Sequence, residues 1–492
     1  MAAKTFPTLD EARSLAADYR SIPVTRTILA DIRTPVEVMR AIKRVSRHCF
    51  ILESLEDSAR WGRYTFLGYD PKLEITCIDG TVRLRSGTTM TIPHADPAEQ
   101  IRRIIAENKS PRLAELPPFT GGLMGYFAYD SIKYTEPTLS LGGEDEEKFN
   151  DIDLMLFDKI IAFDHLKQTI TLIVNVRADG IDENYRAALL TLDMMEDLVR
   201  RAEPAENPPL RLKSGFTPLF NQFEYCAMVE KARHYIYEGD IFQAVLSNRL
   251  TAEAEGSLLD TYRLLRMKNP SPYLFYVPSD NVEIAGSSPE TLVKLEDGVL
   301  HTFPLAGTRP RGKNPAEDKA LEEALLADPK ELAEHNMLVD LGRNDLGRLS
   351  QFGTVEVEKY LSIERYSHVM HIGSTVRGRI RPDKDAVDAI ASVLPAGTLS
   401  GAPKIRACEI INELEGCKRG IYGGAIGYID FTGNMDTCIA IRLAFKKNGK
   451  VFIRSGAGIV ADSVPEREYQ ECLNKAAAVL GAVQESEGGI DQ

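Results

Sequence analysis

The chain has 492 residues and a formal net charge of −13; 43% of it is hydrophobic and 27% charged, enough for two or three ordinary domains with a sizeable core. The acidic balance disfavours nucleic acid and anionic membrane surfaces as partners, and no apolar run approaches the ~20 residues of a membrane span. The N-terminus carries no apolar signal core, and seven cysteines without CxxC spacing argue for small apolar thiols kept reduced in the cytoplasm, against a disulfide frame or a zinc site.

The first half reads as helices alternating with antiparallel strands. Thr8 with Glu11, Thr34 with Glu37 and Asp96 with Glu99 each predict a capping box ahead of a helix. Strands are expected at 24–30, 49–55 and 64–69, with LEITCI and TVRLR joined as a hairpin through Asp79-Gly80. The Gly-spaced run 119–130 predicts a strand closely approached by another backbone. LMLFDKIIAFDH and QTITLIVNV read as further strands before a long helix over about 184–201.

The Pro-rich stretch 202–218 is the best linker in the chain. It divides an N-terminal α+β domain, 1–214, from a second domain, 215–492. Beyond it come a helix (221–238), a strand (241–250) and a β-rich region without a steady βαβ rhythm. That favours an α+β fold of stacked antiparallel sheets. No GxGxxG, Walker A or GxSxG pattern supports a nucleotide site or a serine hydrolase.

In KELAEHNMLVDLGRND (330–345), Glu331 and Glu334 lie three apart on one helical face, with Leu332, Met337, Leu338 and Leu341 on an apolar one. Glu468 and Glu471 repeat the spacing behind Pro465, with Lys475 one turn further on. Two such helices could converge on a hard cation, for which Mg²⁺ is the best fit because it takes oxygen ligands and shares its shell with an anionic substrate. Either pair alone is equally the pattern of a solvated helix surface.

Three small-residue turns accompany them: FPLAGTRPRG (303–312), LPAGTLSGAPK (394–404) and RSGAGIV (454–460). Bare backbone N–H groups, a helix N-terminus and the hydroxyls of Thr398 and Ser400 would favour an anion. Arg442 sits in a run so apolar that burial is expected, which calls for an anionic partner, either a structural carboxylate or a ligand. Tyr422 could donate to the same anion. His371 is either a satisfied core histidine or a general acid or base.

EHNMLVDLGRND, PLAGTRPRG, LPAGTLSGAPK, SGAGIV and the last ExxE helix together resemble the chorismate-utilising enzymes, and among them the anthranilate synthase component I family. The resemblance covers about 220–484 closely and the first half more loosely. It implies an antiparallel β-sandwich with helices outside, and the conversion of chorismate and ammonia to anthranilate and pyruvate with Mg²⁺. It further implies Glu334 and Glu471 as metal ligands, with Glu331 and Glu468 beside them, partly through water. Gly307, Thr308, Tyr422, Arg442, Lys475 and the backbone of Gly456, Ala457 and Gly458 would hold chorismate, with Thr398 at the ring and His371 near the enolpyruvyl group.

Two positions separate the family's activities. Aminodeoxychorismate synthases carry a nucleophilic Lys where this chain has Ala306, and isochorismate and salicylate synthases a Lys base where it has Gln243, whose amide cannot deprotonate water. A non-catalytic sensor of an aromatic metabolite is the alternative from another class. No cysteine sits in an elbow suited to glutamine hydrolysis, so a glutamine amidotransferase subunit is expected to supply ammonia, the family's habit being a heterotetramer. ILES (51–54) and NPSPYLFY (269–276) resemble the family's tryptophan site. Glu53 and Ser54 would cap the polar end of the inhibitor, Pro270 and Pro272 would fix backbone carbonyls toward its α-ammonium, and Tyr273, Leu274 and Phe275 would offer apolar surface to its indole.

Overall fold

The computed structural model describes residues 5–54, 62–365 and 369–491. Leu55, at the end of the strand expected over 49–55, and Ser367 and His368, just ahead of His371, lie outside them.

Local signals are obeyed closely. Thr8 and Thr34 close reciprocal capping boxes with Glu11 and Glu37, while Asp96 caps its helix through the Ala98 N–H alone. The hairpin Leu73–Ile78/Thr81–Ser86 turns on Asp79 and Gly80, both with positive φ, the geometry an Asp-Gly pair adopts most readily. The 119–130 run is strand only over Gly122–Phe127, followed by a 3₁₀ segment Tyr129–Tyr134. A Cβ at Gly125 would fall 2.0 Å from the Asp153 carbonyl oxygen, so the close approach expected of these glycines is real. LMLFDKIIAFDH is two strands, Ile152–Phe157 and Lys159–Asp164, in different sheets.

Two large antiparallel sheets result. In the first, Cys49–Glu53 pairs Tyr273–Pro278, which continues through Glu283–Ser288, Leu443–Lys447 and Lys450–Ile459 to Gln243–Glu255. In the second, Leu305–Pro310 and Val369–Arg379 continue through Thr291–Glu296, Met435–Ile439 and Ala425–Asp430 to Gly122–Phe127. Strands from either side of residue 215 are thus neighbours in both sheets.

The sheets bury an aromatic layer between them that includes Phe50, Phe119, Phe157, Phe275 and Phe445. Phe50 of one sheet meets Phe157 of the other edge-on at 4.8 Å between centroids, a favoured geometry for aromatic pairs. Helices cover the outer faces. Pro35–Val45, Ile181–Arg201 and Leu259–Lys268 pack on the first sheet, and Pro97–Glu107, Pro329–Gly347 and Ala386–Val393 on the second. The α+β sandwich with outer helices is the architecture that the sequence predicts.

Candidate active site

The acidic helix Pro329–Gly347 begins at Asp328, whose carboxylate accepts from the N–H groups of Lys330 and Glu331. It buries His335, Leu338, Val339 and Leu346; Leu332, Met337 and Leu341 are only partly covered. Glu331 and Glu334 stand on its open side. Burial, and the like charges of Glu331 and Glu471, push the Glu334 carboxyl above the usual range, while Lys330 and Lys475 oppose the rise. Glu468, on the helix Pro465–Glu485, is raised by burial and by Glu471. The four carboxylates therefore share one field.

At present Glu471 pairs with Lys475 at 2.7 Å and Glu331 with Arg309 at 3.5 Å. Among the described residues no three carboxylates form a ready ligand group. Oxygen-only donors in mutual repulsion suit a hard divalent cation such as Mg²⁺, so the residues fit that ion.

The first small-residue turn lies against this helix. Gly307 has φ +64°, a left-handed conformation natural to glycine, and a Cβ there would stand 3.1 Å from Glu331 Oε2. Its carbonyl accepts from His371 Nδ1 at 2.8 Å, and Thr308 Oγ1 lies 3.1 Å from the same nitrogen. A carbonyl only accepts, so Nδ1 carries the proton and Nε2 the lone pair of the neutral ring. Burial lowers the His371 pKa, and nearby Arg442 adds to this.

Arg442 departs from expectation. It lies between strands Met435–Ile439 and Leu443–Lys447 with φ +51°; its side chain reaches solvent, yet the protein packed around the guanidinium desolvates it and lowers its pKa. Among the described residues no carboxylate pairs with it. An unpaired guanidinium beside a neutral imidazole is receptive to an anion.

Gly456 and Gly458 pair with Ser247 and Val245 of the strand Gln243–Glu255. A Cβ on Gly456 would meet the Tyr422 hydroxyl at 3.1 Å, and one on Gly458 the Gln243 amide nitrogen at 2.7 Å. Tyr422 and Gln243 are both buried, so two neutral donors flank the bare backbone through Ala457. Ala306 is also buried, opposite Ile372.

The turn within 394–404 is a short 3₁₀ segment, Gly397–Leu399. Ser400 turns inward and donates to the Ala396 carbonyl, so it holds the turn instead of offering its hydroxyl outward. Thr398 Oγ1 donates to Glu290 Oε1 at 3.1 Å. Burial drives the Glu290 carboxyl up to about 7, against the Thr398 hydrogen bond and the charge of Lys475.

A second chamber, a cavity of about 670 Å³, lies elsewhere between the sheets. Glu53, Ser54, Pro272, Tyr273 and Leu274 all line it. Ser54 Oγ has no hydrogen-bond partner among the described residues. The Glu53 carboxylate is already engaged by Arg266, Thr65 and Tyr262. The Tyr273 hydroxyl donates to Asp436 at 2.8 Å, a second lining carboxylate.

Residues 47–481 match the model of the chorismate binding enzymes. The chain belongs to that family. It is 47% identical to anthranilate synthase component 1 of Acetivibrio thermocellus over 98% of this chain and 99% of that one. With the protein of the same name from Acinetobacter calcoaceticus it is 46% identical, over 96% and 97%. The crystal structure of anthranilate synthase component I from Streptococcus pneumoniae superposes with a TM-score of 0.76 at 38% identity, covering 92% and 98% of the two chains. The menaquinone-specific isochorismate synthase of Escherichia coli shares the fold, with a TM-score of 0.69 at 20% identity over 97% and 99%.

The folded geometry brings forward two acids, Glu290 and Asp436, that no local pattern singles out. Glu290 follows Ser-Ser-Pro at the end of Glu283–Ser288, and locally it is indistinguishable from an ordinary turn acid. Asp436 lies inside a strand where only the second sheet reveals what it faces. Their signals are tertiary.

Proposed function

We propose that this chain is an anthranilate synthase large subunit, converting chorismate and ammonia to anthranilate and pyruvate in tryptophan biosynthesis in the cytoplasm. The observation that carries this reading is the neutral wall made by Gln243 against Gly458, with Ala306 at the other family-distinguishing position. Neither offers a lysine to attack the ring or activate water. This disfavours aminodeoxychorismate synthase and isochorismate or salicylate synthase activity. A non-catalytic sensor would have no use for a titratable acid placed like Glu290.

Chorismate carries two carboxylates. One would be bound by Arg442, Tyr422 and the backbone of Gly456–Gly458, and the other would face the acids. Lys475, Gly307 and Thr308 complete the enclosure. Glu331, Glu334, Glu468 and Glu471 would hold Mg²⁺, which supplies charge neutralisation for the substrate carboxylate. Ammonia, oriented by Gln243, adds at the ring carbon next to the carboxylate-bearing one as the 4-hydroxyl departs. Glu290, protonated near neutral pH and aligned by Thr398, gives that oxygen its proton. Loss of the ring proton and of the enolpyruvyl group as pyruvate then restores aromaticity, with neutral His371 on the enolpyruvyl side.

A separate glutamine amidotransferase subunit would deliver ammonia in a heterotetramer. Free tryptophan would occupy the 670 Å³ cavity, whose lining joins the proposed N-terminal part (1–214) to the catalytic part (215–492). No described helix is long and apolar enough to cross a membrane.

The direct test is incubation of the pure chain with chorismate, Mg²⁺ and a large excess of an ammonium salt near neutral pH, followed by anthranilate fluorescence. 4-Amino-4-deoxychorismate or isochorismate as product would refute the assignment. Adding glutamine in place of ammonium should give no product without the second subunit.

A further inference from the structure

Behind the site lie three charges that this mechanism leaves unused. Glu415, Arg419 and Arg454 have side chains only 1% exposed. Glu415 Oε1 accepts from Arg419 Nη2 at 2.5 Å, and from the N–H and hydroxyl of Ser247 at 2.7 and 2.9 Å. Its Oε2 accepts from Arg419 Nε at 3.0 Å and Arg454 Nη2 at 2.7 Å. The Arg419 guanidinium also lies over the Tyr129 ring, 4.6 Å from its centre. Replacing such a buried ion group by apolar residues is often neutral or stabilising, so stability alone is a weak reason for it.

The remaining donors supply a better one. Arg419 Nη1 donates to the Leu399 carbonyl at 2.6 Å and Nη2 to the Val245 carbonyl at 2.6 Å. Arg454 Nε donates to Ser247 Oγ at 2.8 Å. Leu399 directly follows Thr398, Val245 lies on the strand that starts at Gln243, and Arg454 is on the strand that carries Gly456–Gly458. Three chain segments that are distant in sequence, and that each bear candidate substrate contacts, are thus tied to one carboxylate.

We propose that Arg419, oriented by Glu415, is a positioning residue that sets the Thr398 turn against the strands bearing Gln243 and Gly456–Gly458. The inference rests on those segments forming the chorismate site. Only a planar fork reaches the Leu399 carbonyl, the Val245 carbonyl and both oxygens of Glu415 together; a lysine ammonium with three donors on a flexible stem loses at least one of these. Fixing the Leu399 carbonyl fixes the adjacent peptide and the direction in which the Thr398 hydroxyl reaches Glu290.

The test is a double-mutant cycle of Arg419→Lys with Thr398→Ala, with turnover, chorismate KM, Mg²⁺ half-saturation and melting curves measured for each enzyme. Arg419→Lys, folded at the assay temperature, should lose about 10-fold or more in kcat with Mg²⁺ half-saturation unchanged, and only about 3-fold or less in the Thr398→Ala background. An equal loss in both backgrounds, or a loss that merely follows the unfolded fraction, overturns the proposal. Glu415→Gln, which keeps both arginines, should give the same non-additivity and serves if Arg419→Lys does not fold. A wild type that makes a different product from chorismate defeats the functional reading alone, and the cycle is then read on that product. A wild type that makes none is read by calorimetric titration of chorismate, where additive losses again overturn the positioning role.

Discussion

The hydroxyl of Thr398 donates to the carboxyl of Glu290 at 3.1 Å, joining residues 108 positions apart in a pocket whose burial lifts the acid to about 7. A carboxyl that is half protonated near neutrality can give up a proton to a leaving oxygen, which an ordinary surface glutamate, ionised at that pH, cannot. Glu290→Gln should therefore lower kcat by about 100-fold or more while preserving the fold. At a fixed concentration of free ammonia, wild-type kcat/KM should fall as pH rises through about 7, and the variant should lack that limb. A wild-type profile flat across this range refutes the role.

Arg442 makes no ion pair among the described residues, so its removal breaks no salt bridge. Arg442→Met should raise the chorismate KM about 10-fold or more, the worth of a charge-assisted hydrogen bond, with the melting temperature unchanged. A normal KM would place the substrate carboxylate elsewhere.

Glu334 is raised by burial first and then by Glu331, so neutralising it relieves repulsion. Glu334→Gln and Glu471→Gln should each raise the Mg²⁺ concentration for half-activity by about 10-fold or more without loss of thermal stability. Titration of activity with Mg²⁺ decides this, and unaltered half-saturation in both refutes the ligand assignment.

Ser54 presents an unpartnered hydroxyl to the second cavity. Ser54→Phe should intrude on its polar end, abolishing inhibition by millimolar tryptophan with little change in uninhibited activity. Inhibition curves of the two proteins settle the point; full sensitivity in the variant separates this cavity from regulation.

Asp430 is fully buried and raised to about 7 by burial, although Thr432 and the Asn434 N–H hold it. The folded chain therefore keeps a proton that the unfolded chain releases near pH ~4, and the stability contributed by this group falls as pH rises from there through about 7. Asp430→Asn, which retains an acceptor for both N–H groups, should melt at a higher temperature than the wild type above neutrality, with the gap closing near pH ~4. A gap independent of pH would assign the proton to another group.

What the sequence determined by itself was whatever is encoded within a few residues. The Asp79-Gly80 hairpin, the boxes at Thr8 and Thr34, the Glu-x-x-Glu faces and the turns at Gly307 and Gly397 all depend on local backbone preference and spacing, and so were legible. Tertiary structure alone decided the rest. Cys49–Glu53 lies beside Tyr273–Pro278 because strand pairing is chosen by complementary buried faces far apart in the chain, which no local pattern specifies. Arg442 is left without a carboxylate partner while the packed protein around it desolvates it, because the groups that surround a residue between two strands are set by the assembled sheets. Glu290 holds its proton toward neutrality only because folding removes it from water, since desolvation belongs to the assembled pocket and not to the residue.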